Sequence, residues 1–120
     1  MNDLKIQSKT EEKRVIVYIS GDIDAYHSPK LKEEMDTFVN GELSDIALDL
    51  SDVPYIDSAG LGTLVSILRE TRNAKKALKL VGLRQNIKRI FEMTRLDKIF
   101  DVYDTLEESA VGNKRVGGSY

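Results

Sequence analysis

One short stretch of the sequence brings together a hydroxyl, two glycines and a carboxylate, and it contains the side chains best placed for chemistry. It consists of Asp57, Ser58, Ala59, Gly60, Leu61 and Gly62. The pattern around Ser58 indicates the start of a helix, where free backbone N–H groups and the positive end of the helix dipole lie. The glycines leave the first turn uncrowded, so a bulky partner can approach the hydroxyl closely. Serine and aspartate are also preferred N-cap residues, so helix capping alone would explain the stretch.

The residues on either side predict the two elements that hold this stretch. Residues 45–50 alternate between apolar and polar side chains, which is typical of a strand with one buried face. From Leu61 to Leu68, apolar side chains recur at positions i, i+3, i+4 and i+7. We therefore predict a strand followed by a helix that opens at Ser58 and ends near Asn73.

A second acidic turn lies upstream of the first. It consists of Gly21, Asp22, Ile23, Asp24, Ala25 and Tyr26, and it also joins a strand to a helix. Because the carboxyl ends of parallel strands meet at one edge of a sheet, we expect this turn to lie near Ser58. Taken alone, Asp22 and Asp24 are equally typical of solvated residues that orient a turn.

Together the two segments resemble a known family. GDIDAYHS (residues 21–28) and LDLSDVPYIDSAGLGTL (residues 48–64) are similar to the STAS domain of bacterial anti-anti-sigma factors. The similarity extends from about Leu4 to Ala110. It implies that the unmodified protein binds an anti-sigma factor that is also a serine kinase, which frees a sigma factor. It further implies that this kinase phosphorylates Ser58 and that a metal-dependent phosphatase reverses the modification.

The resemblance also implies a partner-binding surface around the two turns. Relatives often carry a second Ser or Thr where this chain has Ala59, so Ser58 is the expected acceptor. A phosphate there would add about −1.5 to −2 charges to an acidic patch and repel the partner. The implied binding residues are Asp22, Ile23, Asp24, Ala25, Tyr26, Asp57, Ser58, Ala59, Gly60, Gly62, Thr63 and Ser66.

Two other functional classes compete with this interpretation. A STAS domain can serve as a scaffold or as a transport-accessory module without a phosphorylation switch. A two-component receiver domain also has about 120 residues, and Asp22, Asp24 and Asp57 could form its Mg²⁺ pocket. The predicted N-terminal hairpin opposes the receiver, and so do Asp101 and Val102 where its lysine would be needed.

The inventory for catalysis is poor. His27 is the single histidine, and we interpret it as an ordinary surface residue. Ser58 lacks the G-x-S-x-G elbow of a hydrolase nucleophile. No lysine follows Gly62 as a P-loop requires, and Val65 stands where a Rossmann fingerprint has its third glycine. The family resemblance implies a binding protein rather than an enzyme, and we predict no cofactor and no metal.

Length and composition limit the number of domains, the possible partners and the cellular location. The 120 residues suit one domain, which we place at residues 1–111, followed by a disordered tail at residues 112–120. A net charge of −2 gives no nucleic-acid footprint, and the absence of cysteine excludes disulfides. No apolar run approaches the roughly 20 residues that span a bilayer, and the N-terminus lacks a signal-peptide pattern. We therefore predict a cytoplasmic protein without membrane contact.

The remaining patterns predict an α/β fold. Residues 4–6 and 15–19 form an antiparallel hairpin, and strands follow at residues 46–50, 78–81 and 99–102. Ser28 is the expected N-cap of the first helix, and Asp104 with Glu107 the expected capping box of the last. The alternation of strands and helices predicts a single α/β domain with parallel crossovers, which the resemblance identifies as STAS-like. Its mixed sheet has four to five strands, an N-terminal hairpin and then parallel βα units, with helices mainly on one face.

Overall fold

The structure is a computed structural model, and it describes residues 2–110. Strands and helices alternate along this part of the chain after an initial pair of strands. The elements are β1 (Lys5–Glu11), β2 (Arg14–Ser20), α1 (Ser28–Val39), β3 (Asp45–Asp52), α2 (Ser58–Asn73), β4 (Ala77–Val81), α3 (Gln85–Met93), a 3₁₀ turn (Leu96–Lys98), β5 (Asp101–Tyr103) and α4 (Leu106–Ala110). The predicted tail, residues 112–120, lies outside the described residues, as does the domain boundary at residue 111.

The strands form one mixed sheet in sequential order, β1-β2-β3-β4-β5. β1 and β2 are antiparallel, and every later neighbouring pair is parallel. The parallel register aligns Val15 with Ile46 and Ile46 with Leu78. These pairings confirm the predicted α/β architecture, its N-terminal hairpin and its short edge strand at the end.

The main core lies between one face of this sheet and helices α1, α2 and α3. Successive side chains of a strand point to opposite faces, so β2, β3 and β4 each direct every second residue into this core. Lys32 of α1 and Glu70 of α2 also join the two helices through an ion pair of 2.6 Å, which raises the pKa of Lys32. The buried core includes Val15, Val17, Ile19, Leu31, Met35, Ile46, Leu48, Leu50, Leu64, Ile67, Leu78, Leu80, Ile87 and Phe91.

The other face of the sheet carries a smaller apolar cluster, formed by Ile16, Ala47, Val81 and Tyr103. Leu106 of α4 packs against it. This second cluster explains why β2 is apolar on both sides. The prediction that helices lie mainly on one face is therefore confirmed, with the short α4 as the exception.

Two helix starts differ from the sequence predictions. Ser28 is the first residue of α1 rather than its N-cap, and its hydroxyl donates to the carbonyl oxygen of Asp24 at 2.7 Å. At α4 the expected capping box is wrong by one residue. The Glu108 carboxylate accepts from the Thr105 amide, and the Glu108 amide donates to the Thr105 hydroxyl. Thr105 replaces Asp104 because its hydroxyl stands three residues before Glu108.

No helix in residues 2–110 is long and apolar enough to cross a membrane.

Candidate functional site

The two acidic turns meet at the carboxyl edge of the sheet, as predicted. Ile23 donates its amide to the carbonyl oxygen of Tyr55 at 3.0 Å, and Asp57 donates its amide to the carbonyl oxygen of Ile23 at 3.2 Å. Ile23 and Ile56 thereby form an isolated parallel bridge beyond the ends of β2 and β3. The backbones of the two turns are therefore joined directly.

Asp57 adds a side-chain connection between the turns. It is the N-cap of α2, with an extended backbone, and its Oδ1 accepts from the Gly60 amide at 2.8 Å. Its Oδ2 accepts from the Ala25 amide in the other turn at 3.1 Å. Asp57 therefore performs the capping that the sequence assigned to Asp57 or Ser58, and it does so while linking both turns.

Gly60 and Gly62 have different roles. A Cβ atom on Gly60 would lie 2.1 Å from the carbonyl oxygen of Ile23, whereas one on Gly62 would meet nothing within 4 Å. Gly60 therefore allows α2 to approach the backbone of the upstream turn. Gly62 leaves open surface beside Ser58, as the sequence analysis expected of both glycines.

Ser58 is the first residue of α2, and its side chain is exposed. Its hydroxyl has no hydrogen-bond partner among residues 2–110. Two nearby hydroxyls are engaged: Thr63 donates to the carbonyl oxygen of Ala59 at 3.0 Å, and Ser51 to Asp49 at 2.6 Å. Ser66 is half-buried. Of these four residues, Ser58 combines exposure with an uncommitted hydroxyl.

The aspartates of the upstream turn are not solvated surface acids. Asp22 is buried and accepts from the backbone amide and the side-chain amide of Asn2, at 3.1 and 3.2 Å. Asp24 accepts from the backbone amide of His27 at 2.9 Å, and this bond is the main cause of a lowered pKa of Asp24. Both carboxylates hold the turn in shape.

His27 is buried, so its interpretation as a surface residue is wrong. Its side chain is 6% exposed, and Nδ1 lies 2.9 Å from Asp24 Oδ1. The ring of Tyr26 meets the His27 ring edge-on, with centroids 5.0 Å apart. The bond to Asp24 explains how a polar ring is accommodated at this depth.

The three aspartates of the imagined Mg²⁺ pocket are each bonded elsewhere, to Asn2, to His27 and to the amides of Gly60 and Ala25. In the described part of the chain, no cluster of three or more His, Cys, Asp or Glu residues could hold a metal ion. The sequential strand order with an antiparallel β1 also fits the STAS architecture and not a receiver domain.

The predicted binding residues differ in solvent exposure: some form the surface, and others lie beneath it. Ala25, Tyr26, Ser58, Ala59 and Gly62 are exposed, while Asp24, Asp57, Thr63 and Ser66 are half-buried. Asp22, Ile23 and Gly60 are buried and can only shape the surface.

Sequence reasoning missed one residue of this surface, Tyr55. It lies between the bridge residue Ile56 and Pro54, and its side chain is 51% exposed. On the other turn, Tyr26 is 76% exposed. The sequence carried no signal for this exposure, because an aromatic residue that follows a predicted strand can be either buried or exposed.

Comparison with known proteins assigns this fold to a family. The profile of the STAS domain family matches residues 5–109. The chain therefore belongs to the STAS domain family, which confirms the predicted resemblance.

Several of the similar proteins share one name, anti-sigma-B factor antagonist. The anti-sigma-B factor antagonist of Listeria monocytogenes is 36% identical over 86 residues, which cover 72% of this chain and 75% of the relative. The protein of the same name from Staphylococcus aureus is 32% identical over 105 residues, covering 88% and 97%. A crystal structure from Thermotoga maritima, of a protein proposed to be an anti-sigma factor antagonist, has a TM-score of 0.83. It is 30% identical and covers 89% of this chain and 92% of its own.

Proposed function

We propose that this protein is an anti-anti-sigma factor that binds an anti-sigma factor with serine kinase activity and is switched off by phosphorylation of Ser58. The observation that carries the proposal is the exposed, uncommitted Ser58 hydroxyl at the start of α2, beside two turns that are joined to each other. The names of the relatives supply the class of partner. The protein acts by binding and not as an enzyme, and its setting is the cytoplasm.

The modification is a phosphoryl transfer from ATP held by the kinase partner. The Ser58 oxygen forms a bond to the γ-phosphorus, the bond from that phosphorus to the β–γ bridging oxygen breaks, and ADP leaves. The hydroxyl proton passes to a base on the kinase. A metal-dependent phosphatase returns the protein to its active form by transferring the phosphoryl group to water.

The start of α2 can accept the phosphate without unfolding. A negative charge near a helix N-terminus is stabilised by about 0.3–1 kcal/mol at an exposed position. Gly62 leaves space beside the group. The fold should therefore be the same in both states, and the switch should act at the interface.

The interface itself should not tolerate the phosphate. The exposed members of the predicted binding surface are uncharged: Ala25, Tyr26, Ser58, Ala59 and Gly62, whereas the carboxylates of Asp24 and Asp57 are half-buried and hydrogen-bonded within the turns. A partner that buries this neutral surface would also have to bury about −1.5 to −2 new charges. A loss of about 3–4 kcal/mol of binding free energy weakens affinity a few hundredfold, which is enough for a switch.

The test is to incubate the protein with the anti-sigma factor kinase of its own organism and ATP, and to map the product by mass spectrometry. We expect one phosphate, on Ser58, and none on the Ser58→Ala variant. Phosphate on Ser51, Thr63 or Ser66 with Ser58 unmodified would refute the assignment. Absence of both binding and modification would favour a STAS scaffold or transport-accessory module instead.

A further inference from the structure

The tip of the upstream turn, Ala25 and Tyr26, is exposed, and one hydrogen bond connects it to a distant residue. Within residues 2–110, a single hydrogen bond joins residues 24–26 to a segment outside this turn and the helix that follows it. That bond runs from the Ala25 amide to Asp57 Oδ2 at 3.1 Å.

The other carboxylates nearby cannot replace this connection. Asp24 is committed within its own turn, to the amide and the ring of His27. Asp22 binds Asn2 at the N-terminal side of the turn. Ile23 is joined to Tyr55 and Asp57 through the backbone, but Ala25 and Tyr26 lie beyond that bridge.

Asp57 supplies more hydrogen-bond acceptors than helix capping requires. A cap needs one acceptor oxygen, which Asp57 provides to Gly60 through Oδ1, while Oδ2 serves Ala25. Serine and asparagine cap helices about as well as aspartate. Each offers one side-chain acceptor oxygen in place of two oriented carboxylate oxygens. Capping alone therefore does not require a carboxylate here.

We infer that Asp57 is a positioning residue whose carboxylate latches the Ala25–Tyr26 tip to the start of α2, so that both turns present one preformed surface to the partner. The inference rests on the proposed function for its consequence in binding, since the tip would be part of the bound surface. A partner would otherwise have to order the tip as it binds, which reduces affinity. Asp57 acts in this scheme through its internal bonds and not by touching the partner.

The experiment compares Asp57→Ser and the nearly isosteric Asp57→Asn with Asp52→Ser. The control removes the same charge from the end of β3, at an exposed residue on the same sheet edge with no side-chain hydrogen bond in the described structure. The free proteins are compared by amide NMR and hydrogen exchange. Affinity is measured by calorimetry with the unphosphorylated protein and the anti-sigma factor kinase of the same organism.

We expect both Asp57 variants to stay folded and to keep the Gly60 amide protected. The Ala25 amide resonance should shift upfield and its exchange should become at least tenfold faster. Affinity for the kinase should fall about tenfold, the equivalent of one hydrogen bond to a charged group. Asp52→Ser should match the wild type in all three measurements.

The latch itself is judged on the free protein, so it does not depend on the partner. An Ala25 amide unchanged in both Asp57 variants would overturn it. A released Ala25 amide with wild-type affinity would overturn the positioning role. Failure of the wild type to bind the kinase would instead refute the proposed function, and the Ala25 measurement would still decide whether the latch exists.

Discussion

The side chains of the site have clearly separated tasks at the scale of single residues. Asp57 caps α2 and joins the turns, while Asp22 and Asp24 hold the upstream turn together. Ser58 has no structural task of this kind, since its hydroxyl bonds to no residue among 2–110. A side chain without a structural role can be modified at little cost to the fold.

Substitutions of Ser58 should therefore show that a charge at this position weakens partner binding without destabilising the fold. Ser58→Ala should change the free energy of unfolding by no more than about 0.5 kcal/mol, because Asp57 is the cap and Ser58 is an exposed N1 residue. It should bind the anti-sigma factor like the unmodified protein. Ser58→Asp should also fold, since a carboxylate suits a helix N-terminus, but should bind much more weakly.

Chemical denaturation and calorimetric titration of the three proteins would check this prediction. Aspartate carries less charge than a phosphate, so the loss of affinity should be large but incomplete. Equal affinities would mean that charge at residue 58 does not control the complex.

The Asp24–His27 contact predicts a pH dependence of stability. The pKa of Asp24 is lowered in the folded state, mainly by the His27 backbone amide, from an ordinary value of 3.8. A depressed carboxyl pKa contributes stability that is fully present above 3.8 and is lost as the pH falls through the lowered folded value. Asp24→Asn should therefore be less stable than the wild type at pH 7, and the difference should shrink towards pH 3.

Denaturant unfolding of both proteins at pH 7 and pH 3 would check the prediction. Asp52→Asn is a suitable control, since Asp52 is exposed. A difference for Asp24→Asn that grows on acidification would contradict the assigned sign.

At the scale of elements, the close approach of α2 to the β2–α1 turn defines the site. Gly60 makes that approach possible, because its missing Cβ leaves room for the backbone of Ile23. The same helix turns Gly62 outwards into open space. The two glycines, which are separated by one residue, therefore have different roles. Gly60 is required by the packing of α2 against the upstream turn, whereas Gly62 leaves room for a partner that approaches Ser58.

Alanine substitutions should distinguish these constraints. Gly60→Ala should destabilise the fold by about 1–3 kcal/mol or more, because a new Cβ would overlap a backbone atom and force α2 or the turn to move. Gly62→Ala should instead stabilise the free protein by about 1 kcal/mol, the usual gain in an exposed helix. If the partner packs beside Ser58, Gly62→Ala should nevertheless bind more weakly.

Thermal unfolding and titration against the anti-sigma factor would test the pair. The reverse order of stabilities would show that the close contact at Gly60 can relax. Unchanged binding of Gly62→Ala would place the partner away from the first turn of α2.

At the scale of the whole molecule, the proposed binding surface and the attachment of α4 lie at opposite ends of the parallel strands. The two acidic turns lie at the carboxyl ends of the parallel strands, whereas α4 is fastened near their amino ends. Arg14 of β2 donates to the Ser109 hydroxyl at 2.9 Å, and Lys79 of β4 donates to the Ser109 carbonyl oxygen at 3.0 Å. Arg14 also donates to the carbonyl oxygen of Leu106 at 3.4 Å, so both cations attach α4 to the sheet.

Removal of Arg14 should weaken the domain without affecting the site. Arg14→Met keeps an apolar stem in the buried position, so the main loss is the hydrogen bonding of the guanidinium to Ser109, Leu106 and Glu11. We expect a loss of about 1.5–3 kcal/mol in the free energy of unfolding, the usual range for hydrogen bonds to a charged group. Phosphorylation of Ser58 should proceed at the wild-type rate below the unfolding transition.

Denaturation curves together with a kinase assay would check this separation. A matched substitution at an exposed cation, Lys9→Met in β1, should leave stability nearly unchanged. Loss of phosphorylation in a folded Arg14→Met protein would show that the two ends of the domain are coupled.

The sequence by itself determined the features that depend on local periodicity and on turn chemistry. Strand and helix patterns predicted a mixed sheet of four to five strands, an N-terminal hairpin and a helix from Ser58 to about Asn73; the structure has five strands, an antiparallel β1–β2 pair and α2 at Ser58–Asn73. Shared strand ends also predicted that the two acidic turns would meet. These inferences succeed because side-chain period and connection length act over a few residues and leave few alternatives.

Only the tertiary structure decided which polar atoms of the site are hydrogen-bonded and which side chains are buried. No local pattern distinguishes an aspartate that caps its own helix from one that also binds Ala25, which lies 32 residues earlier. Nor could it show that His27 is buried, that Gly60 touches Ile23 or that Tyr55 is exposed beside Ser58's turn. The physical reason is that burial and bonding between distant segments depend on how the sheet brings two turns together, and spacing along the chain does not encode that distance.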